Sequence, residues 1–182
     1  MGQEQQESIK TISDSEDMIH VKMESFGVTS ANRKWPILET VGVGPCVAVA
    51  FRDPKSTLTG LIHISPVSLE RNQSGPHKGV SNMLDVMIKN GMDKDEMPNL
   101  KADIFYLLNT NNGKIIWEKL KKIGIDSITA HTSDNTINIA IDSKSGDIYS
   151  LTDLKQLPQH AKYGNINPPG GISVTTDQRS LR

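Results

Sequence analysis

From Met18 onward the chain alternates, with Ile19, Val21 and Met23 interleaved with His20, Lys22 and Glu24, the two-residue period of a half-buried strand. Residues 1–17 are rich in Gln, Glu, Ser and Asp and nearly lack large apolar side chains. Burial cannot offset the entropy of ordering such a segment, so it reads as a disordered tail ahead of a domain over 18–153. Two short apolar runs, Cys46 to Phe51 and Leu58 to Ile64, flank Arg52-Asp53-Pro54-Lys55-Ser56. The Asp-Pro step favours a turn and interrupts a helix, which predicts a hairpin.

A helix is predicted where Val80, Met83, Leu84, Met87 and Ile88 recur at helical spacing ahead of Gly91, and a second where Asn112 precedes Ile115, Ile116, Leu120, Ile123 and Gly124. Ala102 to Leu108, Ile125 to Ala130, Ile137 to Ile141 and Ile148 to Leu151 read as strands, the last two joined through Asp142-Ser143-Lys144-Ser145-Gly146. Beyond Asp153 the periodicity fades, and Asn167-Pro168-Pro169-Gly170-Gly171 suits neither helix nor central strand. The stretch 154–182 is expected to be a largely irregular extension. Strands outnumber helices, so the expected class is α+β (mixed α/β), β-sheets with two main helices packed on them.

Composition narrows the function. The 182 residues suit one domain, and 20 basic against 21 acidic side chains, well mixed, give no broad positive field for nucleic acid or anionic lipid. No stretch approaches the roughly 20 apolar residues of a bilayer span, and the start does not resemble a signal peptide. Gln6 stands where a myristoylation signal wants Ser or Thr. One cysteine forms no internal disulfide; the cytoplasm is the expected compartment, with export of an effector by a route outside the general secretory one as the other.

That cysteine stands in Thr40-Val41-Gly42-Val43-Gly44-Pro45-Cys46, and His63 follows 17 residues later. In the expected hairpin, antiparallel pairing brings Cys46 and His63 to one end of the sheet. A thiol beside a base and a flexible backbone is the set needed for nucleophilic catalysis. His63 takes the proton, main-chain N–H groups near Cys46 bind the oxyanion, and Gly42 and Gly44 let a carbonyl approach the chain closely. Each residue also has a plain structural reading: Cys46 as a buried small hydrophobe, His63 as a hydrogen-bonded core histidine, Thr40 as a strand residue, the glycines as turn or bulge positions.

Thr40 to Val49, with Asp53 and Gly60-Leu61-Ile62-His63-Ile64-Ser65-Pro66, resembles the chemoreceptor glutamine deamidase family, CheD. Its hallmark is Thr-x-Gly-x-Gly-Ser-Cys-Val-Ala-Val followed by Gly-Gly-x-x-His ending near Leu-Pro. The resemblance extends over about residues 18 to 151 and is specific only in the first third. It implies the cysteine deamidase fold shared with the cytotoxic necrotizing factors. It also implies hydrolysis of a protein glutamine to glutamate with Cys46 as nucleophile, His63 as base and Thr40 orienting the imidazole, without cofactor or metal. The implied partners are a protein substrate carrying a reactive glutamine and a signalling protein. The chain departs from the pattern at Pro45, where the family has serine, at Thr59-Gly60 for a double glycine, at Leu107-Leu108-Asn109 for Gly-Gly-Ala, and in lacking a late Gly-Arg pair. Two alternatives stay open: a CheD-like binding module that has lost productive catalysis, and a cysteine transglutaminase or acyltransferase.

His20, His63, His77, His131 and His160 show no zinc-ligand spacing. Asp93-Lys94-Asp95-Glu96 lacks the glycine and distal glutamate of a calcium loop and reads as a solvated turn. Gly42-x-Gly44 lacks the further residues of a phosphate cradle.

Overall fold

The computed structural model describes residues 18–71, 77–150 and 175–176. The expected tail over 1–17 lies outside these, as do His160, the Asn167 to Gly171 stretch and all of the expected 154–182 extension save Thr175–Thr176. The fold is α+β, with strands β1 Met18–His20, β2 Ser25–Thr29, β3 Ile37–Val43, β4 Val47–Arg52 and β5 Thr59–Ile64 leading into helices α1 Pro66–Arg71 and α2 Lys78–Lys89. A 3-10 turn at Lys94–Asn99 precedes β6 Lys101–Leu107, helix α3 Asn112–Lys122, β7 Ser127–Ser133, β8 Ile137–Asp142, β9 Ile148–Ser150 and β10 Thr175–Thr176.

Two sheets result, a six-stranded one in the order β10-β2-β5-β4-β6-β7 and a four-stranded one in the order β1-β3-β8-β9. The expected hairpin is present as β4 and β5, with Val47 opposite Ile64 and Arg52 opposite Thr59. Residues along β4 divide by parity: Val47, Val49 and Phe51 join the helix-side core, while Cys46, Ala48 and Ala50 join the core between the sheets. Helices lie on one face of the large sheet and the small sheet lies on the other. Cover on both faces explains why this strand reads as a continuous apolar run rather than an alternating one.

The helices follow their periodicity. Val80, Met83, Leu84 and Met87 of α2 are buried, as are Ile116 and Leu120 of α3, and α2 packs on β2 and β5 while α3 packs on β6. Each stops where the chain turns left-handed at a glycine, Gly91 and Gly124.

Three expectations change. The alternation from Met18 to Glu24 is not one strand: pairing to β3 ends at His20, and Glu24 adopts φ 61° with its N–H on His63 O (2.8 Å), which reverses the chain into β2. A third helix, α1, follows directly on β5. Strand β3, carrying Thr40, was hidden by its polar centre Glu39-Thr40, both of which are buried.

Candidate active site

Strand β3 belongs to the small sheet and β4 to the large one, so the segment between Thr40 and Val47 crosses from one layer to the other. The crossing starts at a bulge, since the β3–β8 register slips between Thr40 and Val43. Gly42 takes φ +73°, which side chains disfavour. Its N–H donates to Asn138 Oδ1 (2.8 Å), and Gly44 N–H donates back to Gly42 O (2.8 Å). On the far side Asn112, the first residue of α3, donates from Nδ2 to Pro45 O (2.6 Å). The loop that delivers Cys46 is thus held from the small sheet and from a helix.

Ala48 lies opposite His63 in the antiparallel pair. Cys46, two residues before Ala48, shares its face, so thiol and imidazole are diagonal neighbours within side-chain reach on the face turned toward the small sheet. From that sheet Thr40 reaches across the interior, with Oγ1 2.8 Å from His63 Nδ1 and 2.7 Å from Val21 O. A carbonyl only accepts, so the single hydroxyl proton goes to Val21 O, and Oγ1 must accept from Nδ1–H. The imidazole is therefore the Nδ1–H tautomer, with a bare lone pair on Nε2. Nε2 is buried and finds no hydrogen-bond partner among the described residues. Thr40 and His63 are hydrogen-bonded and buried at 0 and 3% exposure; Cys46, at 5%, shares that face, and its thiol meets Met23 Sδ rather than Nε2.

The electrostatics do not favour an ion pair at rest. Burial, with a smaller contribution from His20 and against the charge of Glu24, lowers the His63 imidazole to about 4. Burial foremost, and then the Glu24 carboxylate, push the Cys46 thiol above its ordinary range. At rest His63 does not draw the proton from Cys46: both groups are neutral near pH 7.

The oxyanion expectation also narrows. Gly42 and Gly44 N–H are taken and Pro45 has none. With these three excluded, the main-chain N–H nearest the thiol is that of Cys46 itself. The glycines shape the loop and do not supply the donors.

Glu24 was invisible in the sequence because its left-handed backbone has no residue-type signal. Its carboxylate accepts from Ser65 N–H (2.7 Å) and Ser68 Oγ–H (2.7 Å), tying the turn after β1 to the start of α1. Next to it, Met23 Sδ lies 3.7 Å from Cys46 Sγ. His20 meets the buried Glu39 at 3.1 Å. His131 pairs with Asp103 (2.9 Å), which also receives Arg52 (2.7 Å). His77 caps α2, with Nδ1 accepting from Gly79 N–H (3.1 Å). Among the described residues no three of His, Cys, Asp and Glu cluster as a metal site. None of the described helices is long and apolar enough to cross a membrane.

No protein-family model and no curated protein matches the chain. Among solved structures, the hypothetical protein YfiH of Bacillus licheniformis is similar over 59% of this chain and 50% of its own, at a TM-score of 0.44 and 16% identity. The chain thus spans half the length of that protein.

Proposed function

We propose that the chain is a cysteine-dependent protein-glutamine deamidase of the CheD type. The observation that carries this reading is the Thr40 hydroxyl, which donates to Val21 O and so fixes His63 with a bare Nε2 on the face that carries Cys46. As Sγ attacks the carboxamide carbon, Nε2 takes the thiol proton, and the oxyanion forms near the Cys46 N–H. The carbon–nitrogen bond then breaks, the imidazolium delivers its proton to nitrogen, and ammonia leaves. Water, deprotonated by Nε2, attacks the thioester, and the thiol departs with the proton returned, leaving glutamate. Thr40 is a positioning residue throughout. The chemistry needs a free thiol, which fits a reducing cytoplasm.

The neutral resting thiol and Pro45 favour a second reading, a CheD-like module that docks a signalling partner without turnover. Mass spectrometry of a chemoreceptor cytoplasmic segment and of other glutamine-bearing proteins, incubated with wild type and Cys46→Ala, separates the two. Glutamine-to-glutamate conversion by wild type alone supports the deamidase; conversion that persists in Cys46→Ala removes Cys46 from the mechanism, and binding without conversion favours the module. An added primary amine that appears on the glutamine identifies transfer in place of hydrolysis.

A further inference from the structure

Three large apolar side chains stand exposed among the described residues: Met23 at 57%, Val67 at 50% and Leu108 at 61%. They come from three separate connections, yet all three lie at the end of the large sheet where β4 begins with the thiol. Met23 touches Cys46 through its sulfur (3.7 Å). Val67 lies between Ser65 and Ser68, which both donate to the carboxylate of Glu24, the residue after Met23. Leu108 follows β6, whose antiparallel pairing with β4 sets its C-terminal end beside Cys46. The loop after Leu108 runs to Asn112, which holds Pro45 O (2.6 Å). Elsewhere the described surface leaves no large apolar side chain exposed to this degree, so the three mark one rim.

We propose that Met23, Val67 and Leu108 form the docking rim for the substrate and select a glutamine flanked by apolar side chains. This rests on the deamidase reading. Two features of the rim define its occupant. The thiol is recessed, at 5% exposure with Met23 against its sulfur. A carboxamide on two methylene groups reaches down to such a thiol more readily than a main-chain amide does. Around Leu108 the chain reads Asn109-Thr110-Asn111-Asn112, polar but uncharged, so on that side the rim offers neither sign of charge to an acidic or basic segment. Apolar residues beside the glutamine would bury the half or more of each rim side chain now facing water.

The probes are fluorescent peptides bearing one central glutamine flanked by leucine, glycine, lysine or glutamate. Anisotropy on Cys46→Ala reads binding and ammonia release by wild type reads turnover. The leucine-flanked peptide should bind at least about tenfold more tightly than the glycine-flanked one, the scale expected of one or two newly buried apolar groups. That preference should fall below about threefold in Cys46→Ala carrying Val67→Glu and Leu108→Glu, whose surface positions let the fold be checked by thermal unfolding. Equal binding of all four peptides, or a preference that survives both glutamates, overturns the rim. Turnover without preference then leaves the deamidase reading standing alone, while preference without turnover removes the deamidase and leaves the rim as a binding surface for apolar segments.

Discussion

Acid titration of stability probes the imidazole on which the proposed mechanism depends. His63 is 3% exposed and is held neutral to about 4 against an ordinary 6.5. The unfolded chain takes up the proton near the ordinary value and the folded chain does so only at the lower one. The resulting stabilisation is complete above pH 6.5 and is lost as pH falls from there to about 4. The gap of about 2.5 pH units corresponds to ~3 kcal/mol, of which ~2 kcal/mol is gone by about pH 4.5. His63→Asn removes the titration and leaves the other carboxylates and histidines common to both proteins. Urea unfolding of wild type and variant between about pH 7 and 4.5 should therefore show wild type losing ~2 kcal/mol more than the variant. Stability curves that run parallel across this window would refute a buried neutral His63. In the proposed mechanism the same proton governs turnover, so the acid limb of kcat/KM should fall near pH 4 and not near 6.5.

Alkylation of Cys46 by iodoacetamide should be slow at neutral pH, with a midpoint above that of a free thiol; Glu24→Gln should move that midpoint down only in part, because burial is the larger cause, and an unmoved midpoint would remove Glu24 from the site's field. Thr40→Val strands Val21 O and His63 Nδ1–H in the interior and should cost ~2–4 kcal/mol in denaturant unfolding together with most of the activity, both largely restored by Thr40→Ser; full activity in the valine protein would show that the tautomer is set otherwise. At Gly113 an added Cβ would run into the Tyr106 ring, so Gly113→Ala should destabilise by ~1–3 kcal/mol as α3 is pushed from β6, and an unchanged melting temperature would mean that the ring moves freely.

What the sequence disclosed depended on which force set each feature. Helices α2 and α3 and the β4–β5 hairpin were legible because apolar spacing and turn residues decide them locally. Thr40, Cys46 and His63 were legible as candidates because their juxtaposition follows from that hairpin plus one strand on a facing sheet. Strand β3 was not, since its buried Glu39 and Thr40 look like solvent-facing residues until their partners His20, Val21 and His63 are in place. The Met23-Glu24 turn reads as strand because alternation continues through it, and only tertiary bonds to His63 O, Ser65 and Ser68 justify a left-handed glutamate. Charge environment was the least accessible: a cysteine beside a histidine suggests a lowered thiol, yet burial and then the Glu24 carboxylate raise it.

The same geometry explains how proline can stand before the proposed nucleophile. Losing the residue-45 N–H would matter if the loop amides together lined an oxyanion site, but those of Gly42 and Gly44 are spent on Asn138 and on the loop itself. What position 45 must do is present its carbonyl to Asn112 (2.6 Å) and fix the approach to β4, and a residue with a locked φ does both. The burden of orienting the thiol passes to Asn112 and Asn138, two asparagines on different layers of the fold, and in the proposed mechanism the oxyanion forms near the N–H of Cys46. Asn112→Ala should consequently lower kcat more than it raises KM, because it loosens the nucleophile without touching the Met23, Val67 and Leu108 rim; a loss confined to KM would place Asn112 in substrate binding instead.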